Sequence, residues 1–197
     1  CRILVWEQVP IDGALVETRM RSAFQSRAEI LGSDTDSCRL VNSEGDFLPG
    51  LVVDRYGGGV VIQILTAGME RLRTDITDIL ERLLAPSFIV ERSDVSSRRD
   101  EGLESRLEVL KGALEGPVVI RENGRAFKVD VLRGQKTGFY LDQRESRSLI
   151  GALARGRKVL NLFSYTGGLG VYAAAGGAVS VPSVDSSAPA LDLAREN

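Results

Sequence analysis

The 197-residue chain has no histidine, two cysteines, one tryptophan and two methionines. Without histidine, the side chain that most often moves protons near neutral pH is missing, so no His general base operates within these residues. Cys1 and Cys38 are too few for a disulfide framework, and with no histidine beside them they offer no zinc set. The expected setting is a reducing cytoplasm, with no metal. No apolar run approaches the roughly 18 residues that a membrane helix needs, so no membrane partner is expected. The opening residues, CRILVWEQVP, lack the charged start and long apolar stretch of a secretory signal. A chain that opens on Cys1 rather than Met is expected to begin inside a longer protein.

What is present suits one or two globular domains: 43% hydrophobic and 26% charged residues. The formal charge of −2 is unevenly spread. Residues 1–130 carry 17 basic and 22 acidic side chains, whereas residues 131–197 carry 8 and 5. Seven basic residues fall between Arg133 and Lys158 against Asp142 and Glu145. Such an excess attracts phosphates or forms an ordinary solvated face, and charge alone does not choose between them.

Three textures follow one another. Residues 1–37 open on an apolar strand, RILVW, and continue into a helix over Glu17–Leu31 set by the spacing of Leu15, Met20, Phe24, Ala28 and Leu31. From Cys38 short β-branched runs take over: CRLVN, then GLVVDRYGGGVVIQIL as a hairpin across a Gly-rich turn. Met69, Leu72, Ile76, Ile79, Leu80 and Leu83 predict one amphipathic helix ended by Pro86. FIVER reads as a strand and SDVSSRRDEGLESR as a polar loop. PVVIRENGRAFKVDV reads as two strands joined at Asn123-Gly124, a type I′ turn signal. The result is a small α+β domain over 38–131. In the third texture Asp142 is placed to cap a helix, with Glu145 three residues on. Leu149, Ile150 and Leu153 give that helix its apolar side, and Gly156 ends it. Val159–Phe163, Gly167–Ala175 and AVSVPSVD then read as β-α-β, the start of an open parallel sheet.

The turn FSYTGGLG lies between a strand and a helix, where glycine admits a ligand close to backbone N–H groups. Asp185 follows Gly167 by 18 residues, near the offset at which a carboxylate accepts from ribose hydroxyls. No Gly-x-x-x-x-Gly-Lys-Ser/Thr occurs, which excludes a P-loop, and Gly167, Gly168 and Gly170 are packed too tightly for Gly-x-Gly-x-x-Gly. A nucleoside ligand without phosphates, such as S-adenosylmethionine, fits this spacing. A plain β-α turn is the alternative.

GFYLDQRESR, VLNLFSYTGGLGVYAAAGGA and SVDSSAPALDLAREN, with CRLVNSEGDFLPGLVVDRYGG and VERSDVSSRRDEGL upstream, resemble the bacterial large-subunit ribosomal RNA cytosine-C5 methyltransferases. The resemblance covers nearly the whole chain. It implies the end of a PUA-like domain and a linker over 1–37, and a central strand-strand-helix-strand-strand domain over 38–131. Residues 132–197 would be the first part of a Rossmann-like, class I methyltransferase domain, an α/β unit, dependent on S-adenosylmethionine and acting on ribosomal RNA; a homodimer is left open. It implies a cofactor loop of Phe163, Ser164, Tyr165, Thr166, Gly167 and Gly168, a ribose acceptor at Asp185 beside Ser186, and a closing segment with Tyr140, Asp142, Gln143 and Arg144. Asp142 can equally be a helix cap, and Arg144 and Arg147 a solvated face. Arg133, Lys136, Arg98 and Arg99 are candidates for RNA phosphates, the last two equally for a free surface loop.

The family's thiolate that adds to C6 of cytosine, and the Asp-Pro-Pro loop that holds the base, match nothing here. Both are expected after Asn197, together with the remaining strands of the sheet, so these residues are expected to lack the catalytic half. Pro182 is a further departure, lacking an N–H that a central strand would use. Two alternatives remain: a guanine or amino-group methyltransferase sharing this cofactor half, which needs no Cys, and a non-catalytic RNA-binding fragment.

Overall fold

The computed structural model describes residues 4–197, and the chain divides into two compact units, Cys1–Gly116 and Pro117–Asn197. The domain break expected at 131/132 thus falls at 116/117, because the Asn123-Gly124 hairpin builds its own sheet with the second unit's helices. The opening strand lies partly outside the described residues, as does Cys1, and Leu4–Trp6 are not a strand.

In the first unit, α1 spans Gly13–Ser26 rather than Glu17–Leu31. Its start moves upstream because the Asp12 carboxylate accepts from the N–H groups of Ala14 and Leu15 at 3.1 and 3.2 Å. Five strands form one sheet in the order β1 (Cys38–Asn42), β2 (Leu51–Tyr56), β3 (Gly59–Ile64), β4 (Ile89–Ser93), β5 (Arg106–Lys111). All neighbours are antiparallel except β3 and β4. These two are parallel because α2 (Ala67–Arg71) and α3 (Arg73–Leu84) carry the chain back between them. The single helix expected there is broken at Leu72. β5 starts at the last residue of the segment read as loop, and as an edge strand it leaves Leu107 and Val109 exposed. One core joins the helices to one sheet face, with Val16 and Met20 of α1 and Ile76 and Leu80 of α3 against Leu40, Val53, Ile62 and Ile89.

The second unit opens with a hairpin of β6 (Val118–Glu122) and β7 (Arg125–Val129). Asn123 and Gly124 both take positive φ, 49° and 75°, as a type I′ turn requires. α4 (Arg144–Leu153), β8 (Asn161–Leu162), α5 (Gly168–Ala175), β9 (Ser183–Val184) and α6 (Ala188–Glu196) follow. β8 and β9 are parallel, the expected β-α-β. Pro182 fits because the pairing uses its carbonyl, which accepts from Asn161 N–H at 2.9 Å.

Two expectations for α4 fail. Its N-cap is Gln143, without a side-chain capping bond, because Asp142 is drawn instead to Lys136 at 2.9 Å and Glu145 to Arg144. Its apolar side does not face the core either. Leu149 and Leu153 are 59% and 49% exposed, and the buried stripe is Arg147, Gly151 and Ala154. Small residues there let α5 approach so closely that a Cβ on Gly176 would lie 2.0 Å from the Gly151 carbonyl oxygen. Leu160, Leu162, Val179 and Val184, on and beside β8 and β9, are each more than half exposed. No helix among the described residues is long and apolar enough to cross a membrane.

Candidate cofactor site

At the C-terminal end of β8 the chain turns into α5 through a loop under backbone strain. Phe163 and Tyr165 take φ of 54° and 47°, and Gly167 80°. Left-handed conformations at bulky residues are costly and persist only where surroundings impose them. Here the end of β9 imposes them: Ser164 N–H donates to the Val184 carbonyl at 3.0 Å, and Tyr165 N–H to Asp185 Oδ2 at 2.8 Å. Asp185 Oδ1 accepts from Ser187 N–H at 2.9 Å, and Ser187 Oγ in turn caps α6. The Ser187 N–H first, then that of Tyr165, holds the Asp185 carboxyl below its ordinary pKa. Each carboxylate oxygen keeps a further lone pair for a ligand.

Facing this loop is the segment Gln135–Gln143. The Tyr165 hydroxyl accepts from Gln135 N–H and donates to the Gly138 carbonyl, both at 2.8 Å. Tyr140 meets the Tyr165 ring edge-on at 5.5 Å and donates its hydroxyl to Gln135 Oε1 at 2.7 Å. Lys136, ion-paired to Asp142, stands 4.5 Å over the Tyr140 ring.

Between loop and segment lies a cavity of about 350 Å³. Of the residues singled out from the sequence, Phe163, Ser164, Tyr165, Thr166, Gly168, Asp185, Ser186, Tyr140 and Gln143 line it. Gly167, Asp142 and Arg144 do not. The missing Cβ of Gly168 leaves room for packing, since it would lie 3.2 Å from the Arg147 side chain. Sequence reading missed Gln135, Phe139, Leu169 and, above all, Arg147. Arg147, for which a solvated face was one of two open readings, is 1% exposed. Its guanidinium meets the buried Glu122 carboxylate through two bonds of 2.7 and 2.6 Å and donates to the Tyr140 carbonyl at 3.0 Å. The Tyr172 hydroxyl donates to the same carboxylate at 3.0 Å. Burial, then the Glu122 charge, pushes the Tyr172 pKa up to about 12. The available signal was position: Arg147, Gly151 and Ala154 share one helical face with the small residues.

The wall has the donor set of a nucleoside site. Ser164 Oγ and Thr166 Oγ1 are buried with no partner among the described residues, which is costly unless a ligand or water meets them. The lone cation in the wall, Arg147, is already bonded to Glu122. The site therefore offers hydroxyls and a carboxylate but no unpaired cation for a pyrophosphate, and S-adenosylmethionine fits these residues.

The RNA candidates separate. Arg133, Lys136 and Arg99 are exposed. Arg98 is turned inward, 1% exposed, with bonds to the carbonyls of Glu104 and Ile64 and a 3.0 Å ion pair to Glu70. It is not open to a phosphate; it closes the 3-10 turn Ser96–Glu101 onto β3.

Among curated proteins the chain is 42% identical over 205 residues to a ribosomal RNA large subunit methyltransferase I of Pseudoalteromonas translucida and 45% over 203 to that of Aeromonas salmonicida. Each match covers all of this chain and 51% of the relative, so the chain spans about half the length of these relatives. A Streptococcus mutans protein described as an S-adenosylmethionine-dependent methyltransferase superposes with TM-score 0.86 at 26% identity, over 98% of this chain and 50% of that one. A second, solved as a complex with S-adenosylhomocysteine, superposes at 0.85 and 27% identity, over 96% and 49%. The model of one family matches residues 54–197, running from β2 through the whole cavity wall: the chain belongs to the S-adenosylmethionine-dependent methyltransferases.

Proposed function

We propose that the whole protein methylates large-subunit ribosomal RNA in the cytoplasm, with S-adenosylmethionine as methyl donor and cytosine C5 as acceptor. One observation carries the cofactor half of this reading: two orphaned buried hydroxyls, Ser164 and Thr166, share a cavity with the backbone-anchored Asp185 carboxylate and no unpaired cation. Bound there, S-adenosylmethionine supplies a methyl group on a positively charged sulfur. Asp185, with Ser186 beside it, accepts from the ribose hydroxyls. Ser164, Thr166 and the loop 163–168 position the cofactor, and Tyr140 and Gln143 close over it. The RNA target is supported by the names of the relatives, and Arg133, Lys136 and Arg99 remain exposed to meet it.

Methylation at C5 requires a nucleophile to activate the ring. Cys38 does not provide one, being 5% exposed in the core of the first unit. In this reading the thiolate and the base-holding acid belong to other parts of the whole protein. Further strands cover Leu160, Leu162, Val179 and Val184, and the segment 1–37 belongs to the end of a PUA-like domain and its linker. Methylation of a ring or exocyclic nitrogen needs no thiolate and is the competing assignment.

The test is calorimetry of the whole protein with S-adenosylmethionine, wild type against Asp185→Ala. Charge-assisted bonds contribute about 1.5–3 kcal/mol, so the variant binds about 10- to 100-fold more weakly. No binding by wild type, or equal binding by both, overturns the reading. Mass mapping of the methylated nucleotide distinguishes carbon from nitrogen.

A further inference from the structure

From Ser146 to Val184 the chain carries no acidic residue. The basic residues in that span divide sharply. Arg147 is buried against Glu122, whereas Arg155, Arg157 and Lys158 are exposed in the turn that leaves α4 and enters β8. That turn is held by backbone bonds to the loop after α5: Gly156 N–H to the Gly177 carbonyl at 2.9 Å and Val179 N–H to the Arg157 carbonyl at 2.8 Å. The three cations therefore stand on an ordered ridge. None has an ion-pair partner among the described residues.

A fourth cation reaches the same place from the hairpin. Arg125 and Arg155 line one cavity of about 330 Å³, floored by Gly151, Tyr172 and Gly176. Arg125 is fixed there by stacking 4.2 Å over the Tyr172 ring and by donating to the Asn123 carbonyl at 3.0 Å. Its Nε–H finds no acceptor among the described residues. Exposed cations that follow one another on one turn without an ion-pair partner repel, and a preorganised group of this kind draws polyanions. The cavity mixes an aromatic floor, glycine backbone and guanidinium groups, which suits a phosphodiester with its sugar better than a lone carboxylate. It is also separate from the cofactor cavity: no residue lines both.

We propose that Arg125, Arg155, Arg157 and Lys158 form an RNA-backbone docking surface, distinct from the cofactor cavity, that holds phosphates of the substrate RNA away from the reacting base. The surface rests on the reading of the substrate as RNA. Phosphate contacts of this kind set register and orientation rather than sequence preference.

The experiment measures binding of the whole protein to a large-subunit ribosomal RNA transcript across a salt series, for wild type and Arg155→Glu/Arg157→Glu/Lys158→Glu, with S-adenosylmethionine affinity as the check on folding. At about 0.7 in slope per phosphate neutralised on single strands, losing three contacts flattens log K against log salt by about 2. S-adenosylmethionine affinity stays unchanged. Steep wild-type binding with the same slope in the variant overturns the surface and leaves the RNA reading standing. A wild type that does not bind the transcript overturns both. If the reversed variant loses cofactor binding as well, the triple alanine variant decides on the same slope.

Discussion

The Arg147–Glu122 pair allows a quantitative test of how the second unit is held together. Both side chains are about 1–2% exposed, joined by two bonds under 2.8 Å, and both come from elements that the sequence placed apart: the hairpin and the helix before β8. Arg147→Met leaves the Glu122 carboxylate buried with only the Tyr172 hydroxyl as a partner. Removing one member of a buried pair costs about 3–5 kcal/mol, because a charge is stranded where water cannot reach it. Small domains lose about 1–3 kcal/mol of stability per molar urea, so the midpoint of this unit's transition falls by about 2 M. Arg147→Met/Glu122→Leu removes the stranded charge and keeps similar volume. The Tyr172 hydroxyl retains the Glu122 backbone carbonyl at 3.2 Å. The double variant is therefore expected to recover to within about 1–2 kcal/mol of wild type, since a well-packed apolar pair substitutes for a buried ion pair at little net cost. Urea unfolding of the whole protein, followed by fluorescence and by far-UV circular dichroism, reads both. A single variant costing under about 1 kcal/mol would mean that the pair is screened by solvent as surface pairs are. A double variant as unstable as the single would mean that the loss is one of packing. Either result refutes the reasoning.

The Tyr172 phenol, raised to about 12 in the folded protein against about 10 unfolded, contributes stability that is whole below pH 10 and is lost as pH rises through 12; tyrosinate absorbance should show one late-titrating group that moves earlier in Tyr172-accessible denaturant. Asp185 behaves oppositely: its lowered pKa contributes above the ordinary carboxylate value and is lost as pH falls through the lowered one, so cofactor affinity should stay flat from neutral pH down to the ordinary carboxylate range. Gly176→Ala drives a methyl group against the Gly151 carbonyl and should destabilise by about 1–3 kcal/mol or more, read as a lower urea midpoint, with no matching effect from Gly124→Ala beyond its left-handed φ. Tyr165→Phe removes the hydroxyl that ties Gln135 to Gly138 and should weaken S-adenosylmethionine binding several-fold, mainly through faster dissociation in stopped-flow measurements.

The parts of this molecule legible in the sequence are those governed by local chemistry. Asn123-Gly124 imposes its turn through φ alone, and the β-α-β order around Gly167 follows from period and punctuation. The strand Arg106–Lys111 was not legible because it is an edge strand whose apolar residues Leu107 and Val109 stay exposed, so its short alternation beside a polar loop does not mark a buried face. α4 misled for the opposite reason. Its leucines looked like a core face, yet the helix packs through Gly151 and Ala154 against the small residues of α5, and the leucines point away. Charged residues were the hardest to place. Arg98 and Arg147 have the composition of a solvated face, and each is buried by a partner distant in sequence, Glu70 and Glu122, that no local pattern identifies.

That last point bears on how the cofactor cavity is kept in shape. The loop 163–168 is strained at Phe163 and Tyr165, and strain of about 1–3 kcal/mol per residue must be opposed by bonds elsewhere. Asp185 opposes it from the β9 side through Tyr165 N–H. Arg147 opposes drift from the other side, because the same guanidinium that satisfies Glu122 also fixes the Tyr140 carbonyl and packs 4.5 Å from the Phe139 ring. The two walls of the cavity are thus held by one half-buried and one buried charge, each acting through backbone groups rather than through the ligand. A cavity whose walls are set before binding loses less entropy when the ligand arrives. The charge of Arg147 is already committed to Glu122, so the cavity presents no free cation from this side chain, and only its position is left to serve the proposed ligand.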